Sequence, residues 1–252
     1  DAYENPSDLP SLNNFLGMPL EDSVARQALD ALQIQAGTSK LANKKWVVIG
    51  DSITGSQPYT AKLYHNVIKD RVPGLQTQNL GIGGTGFFDR YGVADNITLS
   101  DPDYITVFLG TNDFAGNGAA SGMALGELLS TDANTISYKI NQMLMSLQNL
   151  YFKSKIVIIT PIPRLTNYGN NASPNNRGYT LKDLSELLKE YAAHYSMPCL
   201  DLYSSSNLPV WIPAGNTFYF TRPGGTSPDG LHPNTAGHVV IADKLQSFLE
   251  TL

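Results

Sequence analysis

Residues 46–53 read Trp-Val-Val-Ile-Gly-Asp-Ser-Ile, an apolar run that ends in a glycine followed by two polar residues. The run is short, rich in β-branched side chains and closed by a turn signal, so it predicts a buried strand. Similar apolar runs occupy residues 104–109 and 156–160, and weaker ones occupy residues 75–80 and 198–202. Ser52 therefore follows an early strand directly.

Helical patterns separate these runs. Residues 59–70, 134–151, 180–195 and 235–251 carry apolar side chains near helical spacing. Strands that are apolar throughout and alternate with amphipathic helices are typical of a parallel sheet covered on both faces. The sequence thus predicts an α/β fold with a doubly wound, mostly parallel central sheet flanked by helices on both faces. Active sites of such sheets lie at the carboxyl ends of the strands.

The chain of 252 residues predicts one main domain, residues 41–252, preceded by residues 1–40. In that first part, residues 1–20 predict an irregular arm and residues 21–36 a helix. The chain begins at Asp1 rather than Met, as expected for a processed or excised end. Residues 203–230 form a long irregular segment, in which residues 216–220 suggest a short hairpin.

Composition and charge exclude several classes of function. The net charge is -5 and Lys44-Lys45 is the densest basic spot, so nucleic acid is not an expected partner. No apolar run approaches the roughly 18 residues that a membrane span needs. Charged residues make up 15% of the chain, so much of the surface must be polar and uncharged, which favours an extracellular or cell-surface location. The single cysteine, Cys199, predicts a buried inert thiol.

Ser52, Asp229 and His232 supply the parts of a hydrolytic triad. Asp229 and His232 stand three residues apart in the segment Asp-Gly-Leu-His-Pro, and Pro233 favours a helix that begins just afterwards. A hydroxyl is a weak nucleophile until a neutral imidazole takes its proton, and a carboxylate orients that imidazole. The chain order Ser, Asp, His is compatible with this chemistry.

Acyl transfer also needs hydrogen-bond donors aimed at the developing oxyanion. The glycine-rich stretch at residues 79–85 follows one predicted strand, and Asn112 in Gly-Thr-Asn-Asp follows another. Gly81 to Gly86 also match the G-x-G-x-x-G pattern of dinucleotide sites. That pattern requires a helix at its last glycine, and residues 87–92 do not predict one, so a nucleotide is not expected.

Four segments together resemble the sequence blocks of the SGNH (GDSL-type) hydrolases, in that family's order. They are Gly50-Asp51-Ser52-Ile53, residues 79–85, Gly110-Thr111-Asn112-Asp113 and residues 229–233. The resemblance covers roughly residues 45–252. It implies the flavodoxin-like SGNH architecture, hydrolysis of esters, thioesters or acetylated sugars, and no metal or organic cofactor.

The resemblance also implies a role for each matching residue. Ser52 would be the nucleophile, His232 the base and Asp229 the residue that orients His232. The oxyanion hole would be formed by the N–H groups of Ser52 and Gly84 and by the side chain of Asn112. Ile53 stands where leucine is more usual in the family, and Gly83 where many members have serine.

Aromatic and polar loop residues predict the substrate class. Asp51, Trp211 and Tyr168 are candidate substrate contacts, and Trp211 lies between Pro209 and Pro213 in a rigid loop. Asn-, Tyr- and Trp-rich loops favour a serine esterase that removes O-acetyl groups from carbohydrate. Two alternatives stay open: a lipase, arylesterase or thioesterase of the same family, and a glycan-binding module of a larger surface or phage-tail protein.

Overall fold

The structure, a computed structural model, describes residues 39–252 apart from residues 56–57, 167–168 and 171–172. The chain divides into two compact units, Asp1–Lys40 and Leu41–Leu252. The arm and helix predicted for residues 1–36 lie outside the described residues. The second unit contains all the elements described below.

The strands alternate with helices along the chain. The strands are β1 (Lys45–Gly50), β2 (Gln76–Gly81), β3 (Tyr104–Phe108), β4 (Lys155–Ile159), β5 (Leu165–Thr166), β6 (Gly169–Asn170) and β7 (Cys199–Leu200). The helices are α1 (Tyr64–Arg71), α2 (Phe87–Arg90), α3 (Thr111–Ala115), α4 (Ile136–Leu150), α5 (Leu181–His194), α6 (Leu202–Ser205), α7 (Pro213–Phe220) and α8 (Thr235–Leu249). Short 3₁₀ turns occur at Val93–Asn96 and Gly118–Ala120. Among the helices of the described chain, none has both the length and the apolar character needed to cross a bilayer.

In the described part of the chain, five strands form one parallel sheet in the order β2-β1-β3-β4-β7. β5 and β6 form a separate antiparallel pair. Side chains of β1 alternate between two cores because successive residues of a strand point to opposite faces. Val47 and Ile49 pack with α4 and α5 on one face, whereas Trp46 and Val48 pack with α1 and α8 on the other. The predicted doubly wound fold is confirmed.

The register of the sheet brings three chain segments together at one edge. Gly50 at the end of β1 pairs with Gly81 of β2 on one side and with Phe108 of β3 on the other. The residues that follow these three strands therefore leave the sheet side by side. They include Ser52, Gly84 and Asn112.

Two local predictions are wrong. Residues 216–220 belong to helix α7 and not to a hairpin. Pro213 opens this helix at a position where proline costs no hydrogen bond. A helical turn, α2, does follow Gly86, because the carboxylate of the distant Asp113 accepts hydrogen bonds from the N–H groups at its start.

Candidate active site

The turn after β1 holds Ser52 at the edge of the sheet. The carbonyl of Asp51 accepts hydrogen bonds from the N–H groups of Thr54 and Gly55, at 3.2 and 2.8 Å. A side chain at Gly50 would collide with Thr54, since a Cβ there would stand 2.1 Å from Thr54 Oγ1. Glycine at position 50 therefore allows the chain to turn back sharply and leaves Ser52 partly exposed.

Ser52, His232 and Asp229 form a continuous chain of hydrogen bonds. Ser52 Oγ lies 2.9 Å from His232 Nε2, and His232 Nδ1 lies 2.7 Å from Asp229 Oδ2. With the ring proton on Nδ1 and donated to Asp229, Nε2 is left to accept the proton of the serine hydroxyl. The sequence separates the serine and the histidine by 180 residues, and the fold brings them into direct contact.

Asp229 is held as a carboxylate by the donors around it. Burial alone would raise its pKa, but a hydrogen bond from the ring of His232 and two from backbone N–H groups lower it below its ordinary value. The backbone donors are Leu231 and His232, both 2.8 Å from Oδ1. Gly230, between Asp229 and His232, has φ +65, and a Cβ there would lie 1.9 Å from the carbonyl oxygen of Leu165. This glycine therefore permits the tight turn that places both triad residues.

Tyr59 covers one face of the catalytic imidazole. Its ring stacks on that of His232 with centroids 3.8 Å apart and an angle of 7° between the planes. Such a contact restricts rotation of the histidine ring and shields one side of it from water. The sequence does not indicate this contact, because the two residues are far apart in the chain.

The two backbone N–H groups predicted to bind an oxyanion have no partner. Among the described residues, none accepts a hydrogen bond from the N–H of Ser52 or of Gly84. Gly84 has φ +78 in an exposed turn, a conformation that favours glycine. Both groups are therefore available to bind an oxyanion.

Asn112 is oriented by hydrogen bonds at both ends of its amide. Its Nδ2 donates to the carbonyl of Thr85 at 2.9 Å, and its Oδ1 accepts from Asn117 Nδ2 at 2.7 Å. The bond to Thr85 uses one of the two N–H groups of the amide, so the second can still donate. The side chain is thus fixed beside the glycine-rich loop with one donor to offer to a substrate.

Polar side chains hold the glycine-rich loop against its neighbours. Asp113 accepts hydrogen bonds from the N–H groups of Phe87 and Phe88, at 2.9 and 3.2 Å, and burial raises its pKa to about 6. A Cβ at Gly86 would lie 2.2 Å from the same carboxylate, so glycine is needed there. Asn79 ties the start of the loop to the nucleophile turn by donating to the carbonyl of Thr54 at 3.1 Å.

Two buried ionisable residues, Asp51 and Arg164, interact electrostatically with the triad residues. Asp51 is 2% exposed and accepts a hydrogen bond from the N–H of Ile53, so its side chain does not reach a substrate-facing surface as the sequence suggested. Burial raises its pKa to about 7. Burial lowers the pKa of the neighbouring Arg164 to about 10, while the charges of Asp51 and Asp229 act to raise it. Arg164 donates to the carbonyl and the hydroxyl of Thr111, at 2.8 and 2.7 Å.

A pocket of about 210 Å³ adjoins the triad. It is lined by Tyr59, Phe220, Arg222, Gly225, Thr226, Ser227 and Asp229. The candidate contact Trp211 is 58% exposed and lines a different pocket, next to Pro209 and Tyr203. The candidate contact Tyr168 lies outside the described residues. Arg222 and Thr226 received no role from the sequence, because no motif contains them.

Comparison with known proteins identifies similar sequences and folds. The profile of the GDSL-like lipase/acylhydrolase family matches residues 48–240. Among curated protein sequences, none matches the chain significantly. A solved structure of a Lactobacillus plantarum protein is 32% identical, with a TM-score of 0.70, and the alignment covers 83% of this chain and 98% of that one.

More distant structures share the fold. A member of the lipolytic G-D-S-L family from Veillonella parvula is 17% identical with a TM-score of 0.55, over 82% of this chain and 99% of that one. A catalytic mutant of an acetylxylan esterase from Geobacillus stearothermophilus is 18% identical with a TM-score of 0.57, over 84% and 96% of the two chains. Together with the profile match, these findings confirm the resemblance stated from the four sequence blocks: the chain belongs to the GDSL-like lipase/acylhydrolase family.

Proposed function

We propose that this hydrolase is a serine esterase that removes O-acetyl groups from carbohydrate through an acyl-enzyme. The observation that carries the esterase mechanism is the relay from Ser52 Oγ through His232 to Asp229, with distances of 2.9 and 2.7 Å. A nucleophile, a base and an orienting carboxylate at hydrogen-bond distance are what covalent acyl transfer requires.

The reaction begins when Ser52 Oγ attacks the ester carbonyl and its proton passes to His232 Nε2. The negative oxygen that forms is bound by the N–H groups of Ser52 and Gly84 and by the amide of Asn112. The bond to the alcohol then breaks, and His232 gives its proton to the departing oxygen. Water next loses a proton to His232 and attacks the acyl-enzyme, which releases the acid and restores Ser52.

The lining of the pocket supports a carbohydrate substrate. Its lining combines one half-buried aromatic side chain, Tyr59, with the polar side chains of Arg222, Thr226 and Ser227, whereas the ring of Phe220 belongs to the core. An aromatic ring beside hydroxyl and guanidinium donors suits a sugar ring better than a long alkyl chain. The same fold serves an acetylxylan esterase, so the scaffold accommodates deacetylation of a polysaccharide. We also propose an extracellular or cell-surface location, which the low charged fraction of 15% supports.

Hydrolysis of p-nitrophenyl acetate, butyrate and octanoate, together with acetate release from O-acetylated xylan, tests the proposal. We expect turnover that favours acetyl esters and disappears in Ser52→Ala. Preference for the octanoate would contradict the carbohydrate assignment and favour a lipase. Equal turnover by Ser52→Ala would contradict the serine mechanism itself.

A further inference from the structure

The segment between α7 and the triad carboxylate is a structured loop. Thr221 and Pro228 form an antiparallel bridge, and the N–H of Asp229 donates to the carbonyl of Phe220 at 3.3 Å. At the tip, the N–H of Gly225 donates to the carbonyl of Arg222 at 2.9 Å. Proline at position 223 and a glycine with φ +72 at position 224 are typical of a type II turn. The backbone at Arg222 is therefore fixed relative to Asp229.

A glycine determines where the side chain of Arg222 lies. A Cβ at Gly225 would stand 2.8 Å from Arg222 Cγ and 3.5 Å from its Nε. The arginine side chain thus passes directly over the backbone of Gly225, and any larger residue at that position would displace it. In this position it forms part of the wall of the 210 Å³ pocket.

The pocket lies beside His232, on the side of the ring that Asp229 and Tyr59 contact. Tyr59 and Asp229 both line it, and both are in direct contact with His232. His232 must reach the oxygen of the leaving alcohol to protonate it, so the alcohol part of the ester leaves on the histidine side. An alcohol part large enough to extend past the imidazole therefore meets the wall that carries Arg222.

Three polar side chains of this wall make no hydrogen bond or ion pair within the described part of the protein. Among the described residues, none pairs with the guanidinium of Arg222 or with the hydroxyls of Thr226 and Ser227. The one carboxylate in the wall, Asp229, already accepts three hydrogen bonds, from two backbone N–H groups and from His232. Although acidic residues outnumber basic ones by 22 to 17 in the chain, the group left free in this pocket is a cation.

We propose that this pocket binds an anionic group on the alcohol part of the substrate, so that the preferred substrate is an O-acetylated acidic carbohydrate. The inference rests on the proposed esterase function and specifies its substrate. A guanidinium presents parallel N–H donors that match a carboxylate or phosphate, and it stays charged at every working pH. A uronic acid and a sugar or polyol phosphate share this chemistry.

The test compares acetate release from O-acetylated polygalacturonate, O-acetylated xylan and O-acetylated poly(glycerol phosphate). We expect kcat/KM to be higher on one or both anionic polymers than on xylan. In Arg222→Gln, the ratio of anionic to neutral kcat/KM should fall about tenfold, the loss typical of one charge-assisted contact. Arg222→Lys should keep part of the ratio, and added salt should lower it in the wild type.

Lys153→Gln is the matched control, because it removes one positive charge just before β4. This position lies at the amino ends of the strands, whereas the site lies at their carboxyl ends. Its ratio should equal that of the wild type. A wild-type enzyme without anionic preference, or a ratio unchanged in Arg222→Gln, would overturn the inference. The two anionic polymers separate carboxylate from phosphate as the group recognised.

Binding separates this inference from the esterase proposal. Calorimetric titration of the Ser52→Ala protein with the same polymers needs no turnover. Stronger binding of an anionic polymer that is lost in Ser52→Ala/Arg222→Gln would support the pocket assignment even if the wild type hydrolysed no ester, including p-nitrophenyl acetate. Turnover of p-nitrophenyl acetate with no Arg222-dependent binding or preference would refute the pocket assignment and leave the esterase intact.

Discussion

The side chain of Asn112 is held in place to stabilise the negative charge of an oxyanion. Its amide is fixed by Thr85 and Asn117, at 2.9 and 2.7 Å, before any substrate arrives. A donor that needs no reorientation stabilises an oxyanion more than a mobile one does. Asn112→Ala should therefore lower kcat by ~10²–10³ with little change in KM. Steady-state kinetics on p-nitrophenyl acetate measure this effect.

Asn117→Ala is the companion variant for that prediction. It keeps the donor on Asn112 but removes the group that orients it, so we expect a loss of about tenfold or less, the scale of one neutral hydrogen bond. If Asn112→Ala lost no more activity than Asn117→Ala, the side chain of Asn112 would not be an oxyanion donor.

Tyr59 acts on the imidazole at the same scale. Because its ring stacks on His232 at 3.8 Å, Tyr59→Ala should allow the histidine ring to rotate away from Ser52. Aromatic pairs of this kind contribute about 0.5–1.5 kcal/mol, which corresponds to a decrease in kcat of roughly two- to tenfold. Tyr59→Phe keeps the ring and should retain wild-type kcat; an equal loss in both variants would assign the effect to the hydroxyl.

At the scale of elements, helix α8 caps helix α1. The residue before α1, Leu63, has an apolar side chain that cannot cap the helix. Instead, Nδ1 of His238 in α8 accepts a hydrogen bond from the N–H of Tyr64 at 3.2 Å. The ring of His238 also stacks on Tyr64, with centroids 6.0 Å apart. Burial, with smaller contributions from His65 and His232, lowers the pKa of His238 to about 3. The cap therefore depends on a neutral histidine.

This arrangement makes the packing of α1 and α8 sensitive to acid. Between the ordinary value of 6.5 and the folded value of about 3, the unfolded chain binds a proton that the folded one does not. The free energy of unfolding should therefore decrease as the pH falls through this range. In His238→Gln, whose amide oxygen can accept the same bond without titrating, denaturant unfolding should show a smaller decrease. Identical slopes for the two proteins would contradict the assignment.

Elements that depend on local pattern were predictable, and those that depend on distant contacts were not. The interiors of β1, β3 and β4 are almost entirely apolar because both faces of these strands are buried, and the sequence shows this directly. Helix α7 contains Thr217, Phe218 and Tyr219, which favour strands, and it is helical through its surroundings. Asn234 caps α8 and also donates to the carbonyls of Phe218 and Thr221, at 2.7 and 3.0 Å, which fixes the end of α7.

At the scale of the whole molecule, the parallel sheet determines which residues meet. Motifs that follow the strands could be assigned to one edge from topology alone, and Ser52 and Asn112 both stand there. Tyr59 and Arg222 reach the site through loops whose course depends on tertiary contacts, so their positions could not be read from spacing. Asp51 directly follows β1, but the spacing does not reveal that its side chain is buried.

The burial of Asp51 makes the stability of the whole domain depend on pH. Burial raises its pKa from 3.8 to about 7, so between these values the folded protein holds a proton that the unfolded chain releases. This contribution to stability is complete below pH 3.8 and is lost as the pH rises through about 7.

Asp51→Asn keeps the acceptor for the N–H of Ile53 and cannot ionise. Its free energy of unfolding, relative to the wild type, should therefore increase between pH 4 and 8 by an amount on the order of a few kcal/mol. Urea unfolding of both proteins across this range measures the difference. Asp113, whose pKa is raised to about 6, contributes in the same direction in both proteins and cancels in the comparison. Two parallel curves would mean that Asp51 is ionised in the folded state at neutral pH and that Arg164 compensates its charge.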